Sequence, residues 1–357
     1  MLDQLLSRRE LHALRTRILS GPNQDRRIVS AAEASVALDP ESAFELGDGG
    51  SAVLALGDRR YSAGRFRTLS LAELRIMARA RPPAEPSRLS ILLGADPLTD
   101  IGALQAMDDG NSLFQVASQF NCLEAPGPRV TAVANYLYDP TQGPRASIGA
   151  WPATLLRHYR APDGQGGHFV QSDSAQLNLL HAACKPGVGR VQSGYLNAST
   201  IQDPGAFSQS LAQHFEDLQV GLHEDAQVVF GANWDGWVPQ PAPHIAQVFT
   251  STLAAGGYGE PVMPGSIWED IARAVLRVAY LGTLLAARAL GMKRAVLTLI
   301  GGGVFGNPHA LIFEQILWAA DQVPGLHVVV NGRELRLPAT QVQQVVAQRG
   351  GVVVRLN

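Results

Sequence analysis

Three successive glycines, Gly301-Gly302-Gly303, close an apolar run that starts at Arg294, and Val304-Phe305-Gly306-Asn307-Pro308 follows them. Backbone without a Cβ can take positive φ and approach a ligand closely, and consecutive free N–H groups in such a loop make an anion-binding concavity. Asn307 suits the N-cap of a following helix and Pro308 its first turn, which would aim the positive end of a helix dipole at the same point. A phosphate or pyrophosphate is the expected guest. The plainer alternative is a tight strand-to-helix connection with no ligand. The loop also spells G-x-G-x-x-G, the dinucleotide fingerprint, but the helix is delayed past the glycines and too little chain follows for a doubly wound sheet.

Carboxyl and carboxamide groups gather in a second place. An apolar strand at Ser112–Ser118 leads into Gln119-Phe120-Asn121-Cys122-Leu123-Glu124, and the loop Tyr136–Pro144 carries Asp139, Thr141 and Gln142. Polar groups beyond a strand's carboxyl end are where α/β folds place ligands, although Asp-Pro and Gln-Gly-Pro also make ordinary turns. Other chemistries have little support. Nine histidines show no H-E-x-x-H, two cysteines give no zinc spacing, and neither a G-x-S-x-G elbow nor a P-loop occurs. No metal and no cofactor is expected. His223-Glu224-Asp225 is the densest polar triplet and reads as a strand end facing water.

The elements that must position these groups follow from periodicity. Helices are expected at 1–20 (ended by Gly21-Pro22-Asn23), 70–80, 148–159, 174–184, 266–290, 308–322 and 339–348. Strands are expected at 52–56, 61–69, 90–93, 112–118, 190–196, 218–222, 227–230, 294–300, 326–330 and 351–356. The Arg- and Pro-rich stretch Arg79–Pro86 reads as an exposed connector. It divides an N-terminal α+β extension, residues 1–86, from a layered α/β unit, residues 87–357. The fold class is α/β, a three-layer α/β/α mixed sheet. Trp234, Trp237 and Tyr258 fall in loops and are candidates for a partner surface or for packing within the domain.

Composition narrows the partners. With 29 basic and 31 acidic residues the net charge is −2, so nothing marks the chain as a nucleic-acid or membrane-surface binder. The first residues lack the basic-then-apolar order of a signal peptide, and the apolar stretch 271–290 carries three arginines, which reads as a buried helix. The expected setting is cytoplasmic, or secreted as an effector without a conventional signal peptide.

The order of these motifs resembles the macrodomain family, which binds ADP-ribose. Thr99-Asp100-Ile101 resembles its G-D-I-T segment, and Gln115-Val116-Ala117-Ser118-Gln119-Phe120-Asn121 stands where the family has its N-A-A-N strand. Gly143–Ala150 occupies the end of the family's first loop, and Gly301–Pro308 resembles its second, commonly S-T-G-[IV]-[FY]-G-[FY]-P. Phe114–Glu124 and Tyr138–Pro144 look most like a divergent branch of macrodomain-like ADP-ribosyl hydrolases that includes bacterial effectors acting on ADP-ribosylated ubiquitin. Gly143-Pro144 replaces the family's G-G-G-V run, and the glutamate pair of poly(ADP-ribose) glycohydrolases is absent from its expected place.

The resemblance implies that Asp100 accepts from the adenine amino group and that the Ile101 backbone reads the ring. It implies that Asn121 touches the distal ribose, while Gly301, Gly302, Gly303, Val304, Phe305, Gly306 and Asn307 hold the diphosphate and ribose. Gln119, Gln142 and Gly143 complete the binding set. Hydrolysis at an anomeric carbon passes through an oxocarbenium-like state and needs a carboxylate to direct water. Asp139 is the first candidate, Glu124 the second and Asp108 the third. The expected function is therefore removal of ADP-ribose from a modified protein. A reader that binds ADP-ribose without cleaving it and a nucleotide-dependent oxidoreductase are the alternatives.

Overall fold

The computed structural model describes the chain except residues 22–24, 84–85, 128 and 357. The helix stop expected at Pro22-Asn23 and part of the connector expected at 79–86 lie outside the described residues. In chain order the strands are β1 (Phe44–Leu46), β2 (Ala52–Leu56), β3 (Arg59–Ser70), β4 (Arg88–Leu93), β5 (Ser112–Ala117), β6 (Ala161–Pro162), β7 (His168–Phe169), β8 (Gln219–Gln227), β9 (His244–Thr250), β10 (Arg294–Thr298), β11 (His327–Asn331) and β12 (Val353–Arg355). The helices are α1 (Leu2–Leu6), α2 (Leu11–Leu19), α3 (Arg27–Leu38), α4 (Leu71–Arg79), α5 (Ile101–Ala106), α6 (Gln142–Gly149), α7 (Trp151–Tyr159), α8 (Pro204–Gln213), α9 (Ile267–Ala289), α10 (His309–Gln322) and α11 (Ala339–Gln348).

Ten strands form one mixed sheet in the order β1-β2-β3-β8-β9-β5-β10-β11-β4-β12. Neighbours from β9 to β12 are parallel, and the pairs from β1 to β9 are antiparallel. The central strands are buried on both faces, which is why they read as apolar runs without alternation. Gln115 of β5 reaches the Ala279 carbonyl and Thr283 hydroxyl of α9, whereas Gln247 of β9 reaches the Ala146 carbonyl of α6. Gln247 lies opposite Phe114, so successive β5 residues address opposite helical layers. The three-layer α/β/α mixed sheet holds.

Residues 1–86 and 87–357, expected as separate units, share this sheet and its core. β3 pairs with β8 from Arg65–Glu224 to Ser70–Gln219. Leu2, Leu5, Leu14 and Ile18 join the same apolar cluster as Leu89 and Ile91. A smaller cluster joins Val29 and Phe44 to Tyr136 and Trp151.

Several expected elements differ. Residues 1–20 form two helices, because Arg8 and Glu10 take positive φ between them. The helix expected at 148–159 is two, α6 and α7, with Ala150 non-helical between them. Residues 174–184 and 190–196 are turns with isolated bridges; the strand expected at 218–222 runs on as β8 to Gln227, bulged between His223 and Ala226, and 228–230, expected as a strand, lie beyond its end. Ser70 caps α4 with Glu73 in a reciprocal capping box, and Ser266 caps α9. Among the described residues no helix is long and apolar enough to cross a membrane.

Candidate functional site

A cleft of about 330 Å³ opens beyond the carboxyl ends of β5 and β10. One wall is the loop from Leu299 to Phe305, and the other is formed by Glu124 and the segment from Asp139 to Pro144.

The loop is held from within and from behind. Gly302 N–H donates to the Leu299 carbonyl at 3.0 Å, Gly306 N–H to Gly303 at 3.1 Å and Asn307 N–H to Gly301 at 2.9 Å. Gly301 sits at φ +72°, and a Cβ there would run into the Thr252 methyl, so this position requires glycine. The N–H groups of Gly301, Gly303, Val304 and Phe305 meet no acceptor among the described residues, and all four residues line the cleft. That is an anion cradle of backbone dipoles. No lysine or arginine lines the cleft.

Asn307 does not cap the next helix. Its Nδ2 donates to the Leu253 carbonyl at 2.8 Å, and Pro308 takes the N-cap position of α10. Asn307, Gly302 and Gly306 therefore shape the loop instead of lining the cleft. His309 Nε2 lies 2.9 Å from the Gly302 carbonyl and steadies it from the α10 side.

On the opposite wall Glu124 is buried. Its Oε1 accepts from the Ser147 hydroxyl at 3.1 Å, and its N–H donates to the Tyr136 hydroxyl at 3.1 Å. No donor reaches Oε2 among the described residues. A Cβ on Gly143 would stand 2.9 Å from Oε2 and overlap the Ala117 carbonyl oxygen, so α6 starts hard against the end of β5. Burial pushes the Glu124 carboxyl well above the ordinary carboxylate range and the neighbouring Asp139 adds to this, while the Ser147 hydrogen bond and Arg157 oppose it. Asp139 is half-buried, and its Oδ1 accepts the Thr141 N–H at 2.9 Å. The cleft thus holds a buried carboxyl and a half-buried one.

Gln119, Gln142 and Gly143 also line it. Gln119 Nε2 donates to the Ala125 carbonyl and to the Tyr195 hydroxyl, and Gln142 Oε1 accepts the Ile101 N–H at 2.9 Å. Other expected residues are placed elsewhere. Asp100 caps α5, its Oδ1 accepting from Gly102 and Asn233 N–H groups and its Oδ2 pairing with Arg145. Asp100 is not among the residues lining the cleft, and its carboxylate is engaged by Arg145 and the start of α5. Ile101 gives its N–H to Gln142 and borders only a small void behind the cleft. Asn121 is buried outside the cleft lining, accepting the Leu123 N–H and donating to Gln176. Asp108 lies near the amino end of β5, remote from the cleft.

The sequence reading missed Tyr195, Ser147 and Arg157, and took Tyr258 only as a loop aromatic for a partner surface or for packing. Tyr195, Tyr258 and Phe305 form a ring cluster on the cleft wall, with centroids 6.0 Å apart for Tyr195–Tyr258 and 5.4 Å for Tyr258–Phe305. Tyr195 and Tyr258 stand in the glycine-flanked runs Ser193-Gly194-Tyr195 and Gly256-Gly257-Tyr258-Gly259, a signal that could have found them. Trp234 is instead buried beneath the Arg26 and Arg145 guanidinium groups. Ser147 and Arg157 stand behind Glu124 and carry no local motif.

No protein-family model matches the sequence, and no curated protein matches it. Among solved structures the chain is similar to poly(ADP-ribose) glycohydrolase from Thermomonospora curvata, at 15% identity and a TM-score of 0.42, covering 91% of this chain and 98% of that one. The enzyme of that name from Deinococcus radiodurans, solved with ADP-ribose, gives 14% identity and a TM-score of 0.38, covering 80% of this chain and 93% of that one.

Proposed function

We propose that this cleft binds ADP-ribose and hydrolyses the bond between its distal ribose and a modified protein. The observation that carries the reading is that the backbone N–H groups of Gly301, Gly303, Val304 and Phe305, which meet no acceptor among the described residues, belong to residues lining the same cleft as a buried Glu124 and a half-buried Asp139. The N–H groups suit a diphosphate, and the ring of Phe305 suits the adjoining sugar. The carboxyl pair suits the anomeric carbon. In the proposed step the bond from C1 to the leaving atom breaks, and its electron pair takes the proton from Glu124 Oε2. A water oxygen bonds to C1 and gives its proton to Asp139. Both carboxyls then exchange protons with solvent.

The roles are thus divided beyond the single water-directing carboxylate expected from sequence. A reader needs no buried carboxyl raised above its ordinary range, so Glu124 favours a hydrolase. On the motif resemblance at Phe114–Glu124 and Tyr138–Pro144, ADP-ribosylated ubiquitin is the first substrate to test.

Titration calorimetry with ADP-ribose, with AMP and NAD as comparators, is expected to give micromolar binding that prefers ADP-ribose. Release of ADP-ribose from a modified protein should accompany it. Absence of both would reduce the glycine loop to a turn.

A further inference from the structure

We infer that Arg157, acting through the Ser147 hydroxyl, is the positioning residue that fixes the Glu124 proton on the oxygen facing the cleft and receives the charge left when it departs. This rests on the hydrolase reading above.

Arg157 of α7 is completely buried, yet none of its partners is a carboxylate. Its Nε donates to the Cys122 carbonyl at 3.3 Å, and Nη1 meets His223 Nδ1 at 3.3 Å. Its Nη2 donates to the Thr154 hydroxyl at 3.2 Å and approaches the Ser147 hydroxyl at 3.5 Å. The Phe249 ring lies beneath the guanidinium, with its centroid 3.6 Å from Cζ. A buried cation without a counter-ion is expensive, so a fold that keeps one gains something elsewhere or is trapped by it.

The direction of the hydrogen bonds supplies the gain. A guanidinium can only donate, so the Ser147 oxygen accepts from Arg157 at 3.5 Å, and the Ser147 hydroxyl in turn donates to Glu124 Oε1 at 3.1 Å. Oε1 is then the acceptor oxygen of the neutral acid. The proton is left to Oε2, which adjoins Gly143 and meets no protein donor. The same reasoning fixes His223. Its Nδ1 accepts from Arg157, so its Nε2 carries hydrogen and donates to the Ala63 carbonyl at 2.6 Å.

The titratable groups around Glu124 are Asp139, Tyr136, Tyr195, Cys122 and Arg157, and Arg157 is the cation among them. Burial lowers Arg157 to about 10 and His223 to about 3, so near neutrality the first is charged and the second is not. When the leaving atom takes the proton, the new carboxylate already faces a Ser147 donor backed by a fixed positive charge. Nothing has to reorganise.

Ser147→Ala removes one oxygen from the relay, and Arg157→Met removes its charge. Both should lower kcat, Ser147→Ala by roughly 10- to 100-fold, the worth of a hydrogen bond to a charged group. KM and ADP-ribose affinity should stay near wild type. In both variants the high-pH limb of the kcat profile should move upward, because the charged form of Glu124 has lost its support. Arg157→Lys should recover part of the loss. With nitrophenyl ADP-ribose, whose leaving group needs no proton, the Ser147→Ala defect should vanish.

Wild-type kcat and an unmoved limb in Ser147→Ala, in an enzyme that Glu124→Gln cripples, would overturn the inference and leave the hydrolase reading standing. Full turnover by Glu124→Gln would sink that reading itself. If Arg157→Met does not fold, Ser147→Ala still decides, with a thermal melt as its folding control.

Discussion

The glycine wall of the cleft offers its N–H groups from neighbouring backbone positions, whereas the acid wall draws Glu124, Asp139, Ser147 and Arg157 from a strand end, a loop and two helices. The first wall is made of backbone dipoles, set by hydrogen bonds within the loop and by His309 behind it. The second is made of side chains whose protonation depends on what is buried behind them. One wall should govern how tightly a ligand is held and the other how fast it is cut.

The sharpest way to break that division is at the acids. Glu124→Gln and Asp139→Asn should each reduce turnover by about 10²–10⁴-fold with ADP-ribose binding near normal, measured by product release and calorimetry. In the wild type, activity should fall as pH rises through the raised value of Glu124, since the acid must hold its proton.

On the glycine wall the effect should be on affinity. Gly301→Ala places a Cβ at positive φ against Thr252 and should weaken ADP-ribose by roughly 10- to 100-fold, the range expected for about 1–3 kcal/mol of backbone strain. Phe305→Ala removes one ring from the Tyr195–Tyr258 cluster and should weaken binding by about tenfold or less. A kcat that fell further than affinity in either variant would blur the division.

Stability offers a gentler test of the acid wall's foundation. His223 and His158 are held neutral by burial, lowered to about 3 and about 4. The unfolded chain takes up both protons near pH 6.5 and the folded one does not. Thermal stability should therefore decline as pH falls from about 6.5, more steeply than in His223→Gln. The smallest effect expected is that of salt. With no lysine or arginine in the lining, ADP-ribose affinity should change little between low and moderate ionic strength.

How far the sequence could be read follows the same division. The glycine loop was legible because its geometry is local: Gly301 and its neighbours dictate their own turn. Asp139, Glu124, Gln119, Gln142 and Gly143 were legible as polar groups beyond a strand. Asn121 and Asp100 do not line the cleft and each has a local task, Asn121 with the Leu123 N–H and Asp100 at the start of α5, that spacing alone cannot tell from ligand contact. Arg157 was invisible. In the chain it is one basic residue near the end of an apolar helix, and its meaning arises from β8 and α6 packing around it. Residues 174–196 misled because turns closed by isolated bridges carry no periodicity.

The antiparallel pairing of β3 with β8 has a consequence for how this protein can be divided or inherited. Ala63, on β3, supplies the carbonyl that holds His223, which holds Arg157, which stands behind Ser147 and Glu124. A chain trimmed to its central α/β layers would lose more than a flank of sheet. It would release the histidine ring to turn and take up a proton, setting a second positive charge beside the first. The amino-terminal hairpin is thus tied to the acid wall of the cleft through a continuous chain of hydrogen bonds.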